Sequence, residues 1–90
     1  MDIEGWRAKT DVVDEILVDL LNRRAEYAVE IGKIKRRLGL AVHVPEREEW
    51  ILKRVQRLSK GPLKDEAVQR LFERIIDESR RLEREHVEEY

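Results

Sequence analysis

Cysteine is absent from the chain, which excludes a disulfide framework and any thiolate metal site. No apolar run approaches the ~20 residues needed to span a bilayer. The opening residues, Met1-Asp2-Ile3-Glu4-Gly5-Trp6, lack the basic-then-apolar order of a signal peptide. These absences set the expectation of a cytoplasmic protein without membrane association. An excess of one charge sign is missing as well. Acidic and basic residues nearly cancel at −1, so no global basic field draws the chain to nucleic acid. There is no glycine-rich phosphate loop. The two histidines, His43 and His86, stand alone, with no His-x-x-x-His and no paired-carboxylate metal spacing. We therefore expect no metal and no catalytic histidine. Amides are scarce too. One Asn, one Thr and two Gln stand against 43% charged residues, a bias toward Glu, Lys and Arg that resembles heat-adapted proteins and suggests a thermophilic source.

What remains is helical. Ninety residues suffice for one domain, 1–90, close to the lower limit for a self-sufficient core. Residues 4–38 read as one helix with no proline inside and only Gly32 as a poor helix former. At ~1.5 Å per residue it would be about 52 Å long, whereas a compact chain of this size has a radius of gyration of about 12 Å. Val12, Val13, Ile16, Leu17, Val18, Leu20 and Leu21 cover well over half its circumference. A helix apolar most of the way round is buried most of the way round, and the simplest cover is a second identical chain.

Gly39 suits the position just past the first helix. Leu40 to Val44 reads as a short extended connector, and Pro45 opens a second helix, with Glu46 and Glu48 at its positive end. This helix runs to about residue 59, with Arg47, Ile51, Val55 and Leu58 on one face. Ser59-Lys60-Gly61-Pro62 breaks it. A third helix, about 64–87, carries Val68, Leu71, Phe72, Ile75, Ile76, Leu82 and His86 as its seam, and the tail Glu88-Glu89-Tyr90 is expected to fray. The fold class is thus all-α, in the order long, short, long. Helices so unequal make a poor three-helix monomer, and two copies make an intertwined homodimeric bundle.

The first helix has a defect in its seam. Apolar residues recur at helical spacing through Val13, Leu17 and Leu20, and again from Tyr27 through Ile31, Ile34 and Leu38, but Arg24 occupies the place between. Lys35 lies eleven residues on, about 20° past three full turns, so it points the same way. Arg47, Ser79 and Glu83 also sit on or beside inward faces. Each alone has an ordinary reading, such as a snorkelling arginine or a serine bonded to its own helix. Together, from all three helices, they line a polar pocket with a cationic excess. The ligand expected there is a small anion, held by arginines as carboxylate or phosphate. With no nucleophile in the set, any catalysis would act by positioning and charge stabilisation.

Four segments carry a resemblance. Arg24, Ala28, Ile31 and Lys35 match the pattern R-x-x-L-A-x-x-V/I-x-x-x-K. Upstream, Arg7 stands seven residues before Asp14, as in R-x-x-I-D-x-x-D/E-x-x-L/I. Pro45-Glu46-Arg47-Glu48 matches P-x-R-E, and Phe72 through Ser79 matches F-x-x-I-I-x-x-S. In this order and spacing the chain resembles the all-α, AroQ-class chorismate mutases over nearly its whole length. The resemblance implies a free-standing homodimer, or an excised domain, that converts chorismate to prephenate with no cofactor. It implies Arg24 on one substrate carboxylate and Lys35 on a carboxylate and the ether oxygen. Glu48 would accept from the ring hydroxyl, Arg47 would support the carboxylate region, and Ser79 would meet the ring carboxylate. Arg7 would act across the dimer, consistent with its place about 100° round the helix from Arg24.

Two positions depart from the pattern. Val44 stands where many relatives carry Asp, so a contact there would come from backbone or be absent. Glu83 stands where many carry Gln. An ionised carboxylate cannot donate a hydrogen bond, so the expectation is that Glu83 works protonated and that activity falls as pH rises. Two other readings remain in view: an isochorismate pyruvate lyase of the same fold, and a non-enzymatic helical dimerisation module whose seam charges set register.

Overall fold

The structure, a computed structural model, describes residues 1–88, with side chains through His86. It contains α1 (Ile3–Leu38), α2 (Pro45–Leu58) and α3 (Asp65–Glu88), and no strand among the described residues. The expected limits were 4–38, 45–59 and 64–87. Glu88 is still helical, and the fraying expected of Glu89 and Tyr90 lies outside the described residues.

Local chemistry explains the ends. Asp2 caps α1, its Oδ1 accepting from the Gly5 N–H at 2.9 Å, which satisfies one of the first turn's free donors. At the other end Gly39 adopts φ 68°. The Leu40 N–H reaches back to the Lys35 carbonyl at 2.8 Å and the Gly39 N–H to the Arg36 carbonyl at 3.3 Å. This is the Schellman closure, which a residue without Cβ enters freely. Pro45 begins α2, where its missing N–H costs nothing. The Val44 carbonyl accepts from both Arg47 and Glu48 N–H groups.

The molecule measures 54 × 24 × 14 Å with a radius of gyration of 16.2 Å, well above the ~12 Å of a compact chain this size. The cause is α1. Its second half packs on α3: Ala28 and Gly32 are its buried residues, with Gly32 against the backbone of Glu83, and Val68 and Ile76 are buried on α3. Its first half projects alone: from Ile3 to Arg23 every residue but Gly5 is exposed. Val12 keeps 55% and Leu17 48% of its surface in solvent. Leu58 and Leu71, expected in the inward seams, are also exposed. No helix among the described residues is long and apolar enough to cross a membrane.

Candidate active site

The packed halves of α1 and α3, with α2 and the 40–44 connector closing one side, enclose a cavity of about 380 Å³. This is within the ~300–1,000 Å³ of small-molecule sites. Arg24, Lys35, Val44, Arg47, Glu48, Ser79 and Glu83 all line it. The eighth candidate, Arg7, does not. It is exposed near the far end of α1, about 26 Å from Arg24 along the helix, and pairs with Glu4 at 3.0 Å.

Arg24 is half-buried, and one of its terminal nitrogens donates to Ser79 Oγ. That hydroxyl donates its own proton to the Ile75 carbonyl at 3.0 Å. Ser79 is thus bonded to its own helix and also lines the cavity. Burial pushes the Arg24 guanidinium pKa below its usual value. The nearby Arg47 charge adds to this, and Glu83 acts the other way.

Lys35 and Glu83 are paired across the α1–α3 contact, Nζ to Oε1 at 2.6 Å, with side chains only 16% and 13% exposed. Lys35 Nζ also donates to the Val42 carbonyl at 2.9 Å, so the connector is tied down over it. Glu83 Oε1 is buried and has no hydrogen bond of good angle, although the lysine is within charge-contact distance. The approach is electrostatic but misaligned, and it leaves Oε1 with unused hydrogen-bonding capacity. Beneath the pair, a Cβ built on Gly32 would lie 2.8 Å from the Glu83 carbonyl oxygen and 2.9 Å from its Cα. Here backbone meets backbone, and only glycine fits.

Glu48 is held within the chain. Arg80 grips both its oxygens, Nε to Oε2 and a terminal nitrogen to Oε1, each at 3.0 Å, and also bonds Asp77 at 3.0 Å. The hydrogen bond to Glu48 is the main reason the Arg80 pKa is raised. His43 Nε2 stands 3.7 Å from Glu48 Oε1. A carboxylate accepts about four hydrogen bonds, so Glu48 keeps room for one more. Both lone pairs of the Val44 carbonyl are already used by Arg47 and Glu48 N–H groups, which removes that carbonyl as a ligand contact.

Arg80 lines the cavity and was not among the sequence candidates. A signal existed, since Arg80 is three residues before Glu83 and shares its helix face. With Arg80, four cations and two carboxylates line the space, an excess of two positive charges. Among the described residues no cluster could hold a metal ion. The arrangement suits an organic dianion and holds an ammonium and a carboxylate side by side in the lining.

Comparisons with known proteins point to one family. The chorismate mutase type II family description matches residues 6–84. A bifunctional chorismate mutase/prephenate dehydratase from Neisseria gonorrhoeae is 46% identical over 78 residues, which is 87% of this chain and 21% of that protein. The chain spans 21–24% of the length of the bifunctional relatives it matches. A chorismate mutase from Thermus thermophilus superposes with a TM-score of 0.89 at 34% identity, covering 91% of this chain and 93% of that one. A chorismate mutase from Helicobacter pylori, solved in complex with prephenate, gives 0.87 at 31% identity over 98% and 96%. The match runs from Trp6 to Arg84, through every helix that lines the cavity, and the chain belongs to the type II chorismate mutase family.

Proposed function

We propose that the chain, as a single domain, converts chorismate to prephenate. The reaction is a Claisen rearrangement: the ether C–O bond breaks while a C–C bond forms within one molecule, and no group leaves. Nothing in it calls for a nucleophile or a cofactor. It calls for a folded substrate and for stabilisation of the charge that grows on the ether oxygen.

The observation that carries this reading is the balance of charge around the cavity. The lining carries more cations than carboxylates, and that sign suits the two carboxylates of chorismate. Arg24 clamps one carboxylate with Arg47 in support, and Ser79 meets the ring carboxylate once its proton is redirected from Ile75. Glu48, oriented by Arg80, accepts from the ring hydroxyl. Lys35 turns from Glu83 to the substrate carboxylate and ether oxygen. Glu83, then facing an anion in place of its lysine, takes up a proton and donates to the same ether oxygen. The catalytic residues are Lys35, Glu83 and Arg24.

The working unit in this reading is a homodimer located in the cytoplasm. Val12, Val13, Ile16, Leu17, Val18, Leu20 and Leu21 lie exposed along the projecting half of α1, and burying the surface each still shows is worth roughly 1 kcal/mol. A second copy covers that half and brings its own Arg7 to the cavity. The test is loss of chorismate absorbance with the purified protein, repeated with Arg24→Ala and with isochorismate as substrate. We expect chorismate to be consumed and Arg24→Ala to lower kcat/KM by about 10²–10³-fold. Turnover of isochorismate alone would make the protein a lyase.

A further inference from the structure

Of the four cations that line the cavity, three are occupied within the chain. Arg24 donates to Ser79, Lys35 faces Glu83 and the Val42 carbonyl, and Arg80 grips Glu48 and Asp77. Arg47 is different. Among the described residues it makes no side-chain hydrogen bond and no ion pair. Its guanidinium carbon sits 4.6 Å from the centroid of the Trp50 ring. Trp50 lies three residues on, one turn along α2. Trp50 is 49% exposed, so it is not there to fill the core.

A guanidinium stacked on an aromatic face uses its π surface and leaves its in-plane N–H donors free. A side-chain carboxylate in the place of Trp50 would hold Arg47 as well, but it would consume those donors and cancel the charge. An aliphatic residue would leave charge and donors intact but would let a long side chain wander, at a cost in rotamer freedom on each binding event. The indole avoids both losses. We propose that Trp50 is a positioning residue for the anion site, holding the Arg47 guanidinium at the cavity rim with its N–H fork open to a substrate carboxylate. Arg54, 5.6 Å from the same ring, is the weaker second cation on that platform. The inference rests on the reading of the cavity as the substrate site. It assigns to α2 a residue that neither the cavity lining nor the sequence motifs include.

The test is a double-mutant cycle on kcat and KM for chorismate, using Trp50→Leu, Trp50→Phe and Arg47→Ala, with the Arg47 Nε–H resonance followed by NMR in each Trp50 variant. Trp50→Leu is expected to raise KM about two- to fivefold, the range an exposed cation–π contact supports, with kcat nearly unchanged. Trp50→Phe should restore KM, because it keeps a ring face. The ring-current shift of Arg47 Nε–H should be lost in the Leu variant and kept in the Phe variant. In an Arg47→Ala background, Trp50→Leu should have no further effect. An unchanged KM in Trp50→Leu, or an equal rise in the Arg47→Ala background, overturns the proposal. If the wild type does not turn over chorismate, the mutase reading fails, and the same cycle is read on prephenate affinity by calorimetry. Loss of affinity in Trp50→Leu restored by Phe then upholds the positioning role, and absence of prephenate binding overturns both.

Discussion

Lys35 Nζ stands 2.6 Å from Glu83 Oε1 across the α1–α3 contact, yet that oxygen has no well-aligned hydrogen bond. Two opposite charges so close and so little exposed hold each other strongly. The same pair must open for both groups to meet one ether oxygen. Protonation of Glu83 is the step that lets it donate there. Glutamine at 83 donates with no proton to take up, so Glu83→Gln should keep kcat/KM within about tenfold of wild type, whereas Glu83→Ala removes the donor and should lower it by about 10²-fold. An Ala variant as active as wild type would show that Glu83 donates nothing to the ether oxygen.

Gly32 meets the backbone of Glu83 directly, and a methyl group there would lie 2.8 Å from the Glu83 carbonyl oxygen. Alanine would add roughly 1 kcal/mol of helix propensity to α1. Overpacking against backbone costs about 1–3 kcal/mol, so the clash should win or cancel the gain. The displaced element carries Glu83 itself, and a shift of about 1 Å at a reacting group can cost about 10²-fold in rate. We therefore expect Gly32→Ala to lower kcat by up to that factor while Tm is level or lower. A raised Tm with unchanged kcat would show that the two helices simply separate at no cost.

Much of this was readable from residue order, because helix periodicity is a local property. Pro45, Gly39 and Gly61 mark the breaks, and the eleven-residue step from Arg24 to Lys35 places both at one cavity. The partners of these side chains were not readable. The Arg80–Glu48 fork joins residues 32 apart on different helices, and no pattern within either helix names the other. The stacking of Arg47 on Trp50 is local, but an exposed Trp beside charged neighbours looks like any surface residue until the cavity beside it is seen. Leu58 and Leu71 fit the apolar period of their helices and are nevertheless exposed, since periodicity names a face and not what covers it.

Arg80 holds both oxygens of Glu48, so it contributes orientation as well as charge. Lysine keeps the charge and loses the planar fork. If orientation is what matters, Arg80→Lys should behave like Arg80→Ala, each lowering kcat/KM by about 10–10²-fold, the ~1.5–3 kcal/mol of a charge-assisted hydrogen bond. If Arg80→Lys kept full activity, Arg80 would be serving as a point charge for the ligand.

The final prediction concerns Arg7, which is exposed and absent from the cavity its own chain forms. If a two-fold partner supplies it, Arg7→Ala and Arg24→Ala homodimers should each be nearly inactive, for different reasons. In a mixed dimer, the chain carrying Arg7→Ala keeps an intact Arg24 and receives Arg7 from its partner, so one of the two sites is whole. Random reassociation of an equal mixture makes about half the dimers mixed, and activity should recover to about a quarter of wild type. The mixture is prepared by unfolding and refolding the variants together, with separately refolded variants as the control. Recovery to about a quarter requires both that α1 of one chain reaches the other chain's cavity and that the two arginines belong to one site. If the mixture stays as inactive as its components, Arg7 does not act across the interface, and the exposed half of α1 must be explained by packing alone.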